Sequence, residues 1–335
     1  MKTLITGATG FIGARLALHC QRQGMDVLAL GRRQNPVERE RAADLEAQGV
    51  RLEETPVEDR DGLRAAMARV DVVFHLAAAQ HEANVPDAYF ERINVEGTRN
   101  VFEAAAAAGV ARVVHGSTIG VYGWRPGETV GNDSPLEPDN IYGITKLAGE
   151  EVARSFAARV PFAIARISET YGPGDGRLLK LFRGAEKNLG LLIGPGRNLH
   201  HLVYVDDLIQ GLLALAREEG AIGGTFVLAG ARPVTTRALL EGVARALGHE
   251  PRILRVPLAP LLGVAALMEW TLRPLGVQPP LHRRRMDFFR KSFSFSIDAA
   301  EAVGFKPGTD VDAGLCETAR WYAEHGWLSK TGSAS

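Results

Sequence analysis

Short apolar runs alternate along this chain with longer stretches in which apolar positions recur every three or four residues. Residues 3–5 (Thr-Leu-Ile) are the first apolar run. A glycine-rich turn follows, and 14–23 carries helical spacing stopped by Gly24. Runs at 26–30, 50–52, 71–76, 112–115 and 162–166 predict further strands. Helical spacing over 86–108, stopped by Gly109, and over 140–159 predicts two long helices. Strand and helix in this alternation predict βαβ units, an α/β chain whose parallel sheet is covered by helices on both faces. Beyond Arg166 the pattern loosens into turns such as Tyr171-Gly172-Pro173-Gly174 and Gly194-Pro195-Gly196, then an apolar run at 202–205, a helix to Arg217, a strand at 225–228 and a helix from Thr236. The expected organisation is a main domain over 1–166 with a returning segment at about 201–222, and a smaller lobe of 167–200 and 223–330 over the carboxyl edge of the sheet.

Charge and composition change this picture only by exclusion. Lys+Arg and Asp+Glu both number 39, which gives no basic footprint for nucleic acid. Cys20 and Cys316 stand far apart in sequence, in neither a metal spacing nor a disulfide framework, so no metal and a reducing, cytoplasmic setting are expected. Lys2 leads into a strand and glycines rather than a long apolar leader segment, so no signal peptide is expected. The apolar stretch 256–270 is interrupted by Pro257, Pro260 and Glu269, too short and broken to span a bilayer.

Two patterns carry chemistry. Gly7, Gly10 and Gly13 follow a strand and open a helix, where glycine permits a tight turn and the helix N-terminus favours a pyrophosphate. At the end of the second strand stands Gly31, followed by Arg32 and Arg33. With no acid there, two guanidiniums are available for a ribose 2′-phosphate, which favours NADP over NAD. The second pattern is Tyr142 and Lys146, four residues apart and on one face if the segment is helical. A phenol keeps its proton to about pH 10; a neighbouring ammonium lowers that value and suits the tyrosine to acid–base work. Chance produces this spacing in roughly one chain in eight of this composition, so the pair takes its meaning from its surroundings.

Those surroundings resemble the extended short-chain dehydrogenase/reductase family, which holds nucleotide-sugar epimerases, dehydratases and 3β-hydroxysteroid dehydrogenases. The resemblance rests on Thr6-Gly7-Ala8-Thr9-Gly10-Phe11-Ile12-Gly13, on Asp71-Val72-Val73-Phe74-His75-Leu76-Ala77-Ala78 and on Asn94-Val95-Glu96-Gly97-Thr98. It continues through Ser117-Thr118-Ile119-Gly120-Val121-Tyr122-Gly123, Tyr142-Gly143-Ile144-Thr145-Lys146, Tyr171-Gly172-Pro173-Gly174-Asp175 and Val205-Asp206-Asp207, in order. It implies a doubly wound parallel-sheet Rossmann fold with a C-terminal substrate-binding lobe. It implies Tyr142 as proton donor or acceptor, Lys146 as holder of the nicotinamide ribose, and Thr118 as the hydroxyl on the reacting oxygen, with Ser117 as the nearby alternative. Thr9 joins the cofactor loop, Leu76, Ala77 and Ala78 pass along the cofactor, and Asn94 braces the active-site helix or a water relay. Gln80, Ser117, His200 and Arg283 are the candidates for substrate contact. Two long helices, 86–108 and 140–159, imply a homodimer through a four-helix bundle, with the small residues 104–108 either packing closely or facing the sheet.

Departures from the family pattern narrow the reaction. Dehydratases of this family place an acid directly after the catalytic Thr, where this chain has Ile119 and Gly120, which argues against sugar dehydration. Thr55-Pro56 stand where the family often has Gly-Asp for adenine. His200 occupies the place of an arginine that grips a diphosphate in the sugar enzymes, and neutral imidazole is the weaker clamp. The leading expectation is hydride transfer on a nucleotide sugar, as epimerase or keto-reductase. A 3β-hydroxysteroid-type or other lipid-like alcohol dehydrogenase is the second, favoured by His200 and by the apolar stretch 257–276. A non-catalytic NADP-sensing scaffold is the third.

Overall fold

The strands are β1 (Lys2–Thr6), β2 (Asp26–Leu30), β3 (Arg51–Glu53), β4 (Val72–His75), β5 (Arg112–Thr118), β6 (Phe162–Ile167), β7 (Glu169–Tyr171), β8 (Gly190–Ile193), β9 (Leu199–His200), β10 (Leu202–Tyr204), β11 (Thr225–Leu228), β12 (Val234–Thr235) and β13 (Ile253–Val256). The computed structural model describes residues 1–80, 85–187, 190–258, 260, 261, 263, 268, 271 and 288–329. Seven strands pair in parallel in the order β11-β6-β5-β4-β1-β2-β3.

The apolar runs are continuous because both sheet faces are covered. Successive side chains point to opposite faces. In β1, Leu4 joins a core with Val101, Phe102 and Val152, while Ile5 joins another with Leu16, Leu208 and Leu212. The helices packed on the sheet are α1 (Phe11–Arg22), α2 (Pro36–Ala47), α3 (Arg60–Ala66), α4 (Asp87–Glu91), α5 (Gly97–Ala108), α6 (Ile141–Ser155) and α8 (Val205–Arg217), while α7 (Leu179–Glu186) and α9 (Thr236–Ala246) pack together in the lobe. In α5, Ala104 and Ala105 face the sheet core and Ala107 and Ala108 are exposed. Strand order reverses between β1 and β4. The loops leaving their carboxyl ends diverge there and open a crevice for a ligand.

Three expectations shift. The segment 86–108 is not one regular helix, because a π-helical turn, Arg92–Glu96, separates α4 from α5. Such a turn redirects a side chain, and Asn94 sits inside it. The helix expected over 140–159 begins after Asn140, whose side chain accepts the Gly143 amide at 3.1 Å, and ends at Ser155. Thr225–Leu228 belongs to the main sheet beside β6, so the returning segment runs through β11 rather than ending at 222.

The lobe is tied down by the late motifs. Asp206 at the start of α8 takes Arg15 of α1 in a bidentate pair at 2.7 and 2.8 Å, and Asp207 accepts from the Thr309 amide and hydroxyl at 2.9 and 3.0 Å. Arg41 donates to the Gly174 carbonyl at 3.0 Å. A charged network lies deeper. Glu150 of α6 is fully buried and accepts from Arg166 of β6 at 3.0 and 2.8 Å and from Ser117 of β5 at 2.6 Å. Arg166 also donates to the Tyr122 hydroxyl at 2.7 Å and lies over its ring. Although burial alone raises a carboxyl pKa, Arg166, Ser117 and Arg154 hold Glu150 below the usual carboxylate range. Glu150→Ala strands the buried Arg166 charge and is expected to cost about 3–5 kcal/mol. Glu150→Gln, which keeps acceptor and volume, should cost less. Urea unfolding of the two variants checks the order.

Candidate active site

The crevice begins at Gly7, whose φ of +69° suits glycine and where a Cβ would lie 2.7 Å from the Ala77 amide nitrogen. The first loop and the exit of β4 therefore touch backbone to backbone. No side chain caps the N-terminus of α1 and no acid lies in its first turn, so its amide groups and dipole are left for an anion. Two adjoining cavities follow, of about 540 and 600 Å3, sharing Gly7, Gly10, Leu76, Ala78 and Gln80 in their walls. Gly13, Phe11 and Ile12 line the first and Ala77 the second, so the glycine loop and the 76–78 segment form one groove. Its length and its glycine floor fit a dinucleotide.

The second cavity corrects the expected arginine pair. Arg32 lines the second cavity, with its guanidinium 3.0 Å from the Tyr89 hydroxyl and 3.7 Å from Glu38. Arg33 instead turns to Glu46 and Glu54. An acid does stand in this pocket, because α2 brings Glu38 into its wall, which a reading of the strand end alone misses. Thr9 is buried, its hydroxyl accepting from the Arg32 amide at 3.1 Å, so it braces the second strand's exit while lining the groove.

At the other end, α6 presents Tyr142, Lys146 and Glu150 as one stripe, each four residues after the last. Tyr142 and Thr118 both line the first cavity. Ser117 is committed to Glu150, which leaves Thr118 as the hydroxyl at the tyrosine. Burial pushes the Tyr142 phenol up to about 12, against the lowering effects of Thr118 and Arg177. The expectation that Lys146 lowers it is reversed, because desolvation outweighs the one opposing cation, Arg177. Lys146 is buried, and desolvation brings it down to about 8, with Glu150 opposing.

Asn94 fixes this helix against the sheet. Its carboxamide takes the Ala79 amide at 2.8 Å and donates to the Ala79 carbonyl and the Thr145 hydroxyl, each at 3.0 Å. It holds the β4 exit and α6 in register and lines neither of these two cavities, so the role its contacts show is positioning. At Gly149 a Cβ would lie 2.8 Å from the Asn94 carbonyl oxygen, so only glycine lets α6 approach the π-helical turn.

His200 is not at the cavity wall either. It is buried between Phe288, 4.3 Å away ring to ring, and Thr236, behind Glu169. Glu169 does line the cavity, with Asp175 and Arg177; none of these three was singled out from the sequence, nor were Glu150 and Arg166. Arg283 and most of the apolar stretch 257–276 lie outside the described residues. Among the described residues no cluster of metal ligands occurs and no helix is long and apolar enough to cross a membrane.

Known proteins place the chain in a family. Residues 3–229 match the NAD dependent epimerase/dehydratase family, and the chain belongs to it. It is 28% identical to a UDP-glucose 4-epimerase of Mycolicibacterium smegmatis, over 96% of this chain and 98% of that one. It is 31% identical to a 4-hydroxy-2-methyl-3-oxo-4-farnesyl-3,4-dihydroquinoline-1-oxide ketoreductase of Stigmatella aurantiaca, over 83% of each. A dTDP-glucose 4,6-dehydratase from Streptomyces venezuelae, solved with NAD and TYD bound, superposes with a TM-score of 0.77 at 26% identity over 98% of this chain and 99% of that one. The protein is an enzyme of the short-chain dehydrogenase/reductase type in an NAD-dependent family.

Lys146 makes the site costly to fold. Its pKa falls from about 10.5 unfolded to about 8 folded, so between these values the unfolded chain binds the extra proton and stability rises with pH. Below pH 8 the full penalty is present. Lys146→Met should therefore stabilise the protein without added cofactor at pH 7, by roughly 1–3 kcal/mol, and lose that advantage above about pH 10.5. Denaturant midpoints of variant and parent across pH 7–10.5 test the sign. Gly149→Ala should cost about 1–3 kcal/mol and lower turnover, as its methyl forces α6 from Asn94; urea unfolding and initial rates measure both.

Proposed function

We propose that this enzyme moves hydride at a secondary alcohol or ketone of a nucleotide sugar, as an epimerase or keto-reductase. The observation that carries this reading is that Thr118 and Tyr142 line the same cavity as the glycine loop. The groove would hold a nicotinamide dinucleotide, which would supply the hydride chemistry. Tyr142, with its phenol held protonated, gives a proton to the substrate oxygen on reduction and takes it back on oxidation. Thr118 hydrogen-bonds the same oxygen, a contact worth most where water is excluded. Lys146, a buried cation one turn below, favours the anionic form of that oxygen and is the residue we assign to the ribose hydroxyls. Gly10, Phe11, Ile12 and Gly13 take the pyrophosphate, with Leu76, Ala77 and Ala78 along its flank.

NADP is the proposed cofactor, with Arg32 alone as the cation for the 2′-phosphate and Glu38 as the acid that would compete for a ribose hydroxyl. We also propose a homodimer through α5 and α6, where Ile144 is half exposed. A second reading, a ketone reductase for a lipid-like alcohol, is favoured by the retreat of His200 behind Glu169, which removes the expected diphosphate clamp. Its apolar support, 257–276, lies mostly outside the described residues.

Purified protein is to be denatured, any released nucleotide identified, and nucleotide sugars assayed without added cofactor. Retained cofactor with turnover supports the epimerase; a demand for stoichiometric NADPH supports the reductase. Tyr142→Phe should cut turnover at least 100-fold while cofactor still binds, and unchanged turnover sinks the mechanism. Arg32→Ala should weaken NADPH more than NADH; equal loss rejects the 2′-phosphate role.

A further inference from the structure

The wall opposite the glycine loop contains a buried acid–imidazole contact that the hydride-transfer machinery leaves unused. Its protonation follows from the hydrogen bonds around it. The Asn198 amide nitrogen donates to the carbonyls of Phe288 and Lys291 at 2.7 and 3.3 Å, which settles which end of that amide is nitrogen. The Thr236 hydroxyl is 2.6 Å from the Asn198 amide oxygen and spends its one proton there. It therefore accepts from His200 Nε2–H, 2.9 Å away, while the Asn198 amide nitrogen, 3.4 Å from the same Nε2, has its two protons directed to the two carbonyls. A neutral imidazole has only one N–H, so His200 Nδ1 would then hold a lone pair.

That nitrogen lies 3.4 Å from Glu169 Oε2. Both atoms are buried, and neither has another hydrogen-bond partner among the described residues. Two lone pairs facing each other in a dry wall are unfavourable, and an unpaired buried polar atom costs about 1–3 kcal/mol. One proton between them removes both penalties. Although burial alone raises a carboxyl, His200 and Arg177 hold Glu169 below the usual carboxylate range. Arg177 and His201 are the other charged or titratable groups near it, and His201 is occupied, accepting from the Phe295 amide at 3.0 Å and donating to the Gly230 carbonyl at 2.7 Å. Only one side of Glu169 is buried. Its side chain is 34% exposed, and it lines the cavity that also holds Tyr142 and Thr118.

We propose that Glu169 and His200 share one proton, and that this pair makes Glu169 the cavity's acceptor for a substrate hydroxyl, a specificity-determining contact in the same pocket as the reacting carbon. It deepens the nucleotide-sugar reading and rests on it for the hydroxyl's identity. His200 fixes the far oxygen and keeps the near one charged and oriented. A carboxylate there accepts and cannot donate, so it selects a hydroxyl over an ether or carbonyl at that place.

The test has two arms. In the first, protein labelled with 15N-histidine is examined by NMR at pH 7. His200 Nδ1 should carry a proton, and Glu169→Gln should remove it, leaving the Nε2–H form. An unprotonated Nδ1 in the parent protein overturns the shared proton whatever the substrate is. In the second, NADP-loaded protein is titrated with UDP-glucose and with its singly deoxygenated sugars. One deoxy sugar should bind about 10-fold more weakly than UDP-glucose, and Glu169→Ala, which removes the acceptor, should erase that difference. A preference that survives in Glu169→Ala overturns the hydroxyl contact. If no UDP-sugar binds at all, the hydroxyl contact falls together with the nucleotide-sugar reading, and the first arm decides the shared proton alone.

Discussion

The carboxamide of Asn94 is the constraint on which the site depends. It is fully buried and satisfies both backbone groups of Ala79 and the hydroxyl of Thr145 at once. Those partners belong to the exit of β4, which flanks the groove, and to α6, which carries Tyr142 and Lys146. Aiming one side chain at both requires the backbone to widen, which is why the long helix is interrupted by a π-helical turn around it. Gly149 then lets α6 close on the Asn94 carbonyl.

Around this clamp the protein buries an unusual amount of polarity. Lys146, Glu150, Arg166, His75 and His115 all lie within the sheet–helix interface. Glu150 and Arg166 satisfy one another, while His75 is held between the hydroxyls of Thr6 and Thr98 at 2.8 and 3.0 Å. Thr98 gives its own proton to the Asn94 carbonyl, so His75 donates to it through Nε2 and is neutral. Burial and the Lys146 charge push His75 down to about 3. Lys146 is thus a cation kept among neutral imidazoles, in a place that disfavours its charge and so strengthens its attraction for any anion brought near.

The sequence was most informative where chemistry needs contiguous residues. The turn around Gly7, the strand–helix alternation and the spacing of Tyr142 and Lys146 are local, and each is legible because period and backbone freedom are written into neighbouring positions. Arg33 and His200 misled for a common reason: each sits in the right place along the chain, but its partners, Glu46 and Glu54 for one and Thr236 and Phe288 for the other, come from distant segments. Glu169 was missed because nothing beside it in sequence marks it as facing the cavity.

By itself, then, the sequence determined the α/β class, the glycine turn after the first strand and the spacing of Tyr142 and Lys146, since hydrophobic period and short-range spacing dictate them. The tertiary structure decided which hydroxyl meets Tyr142, which arginine faces the adenosine pocket, and that burial raises the phenol rather than Lys146 lowering it. These outcomes depend on desolvation and on the competition among distant partners for each charge, and neither quantity exists until the chain is packed.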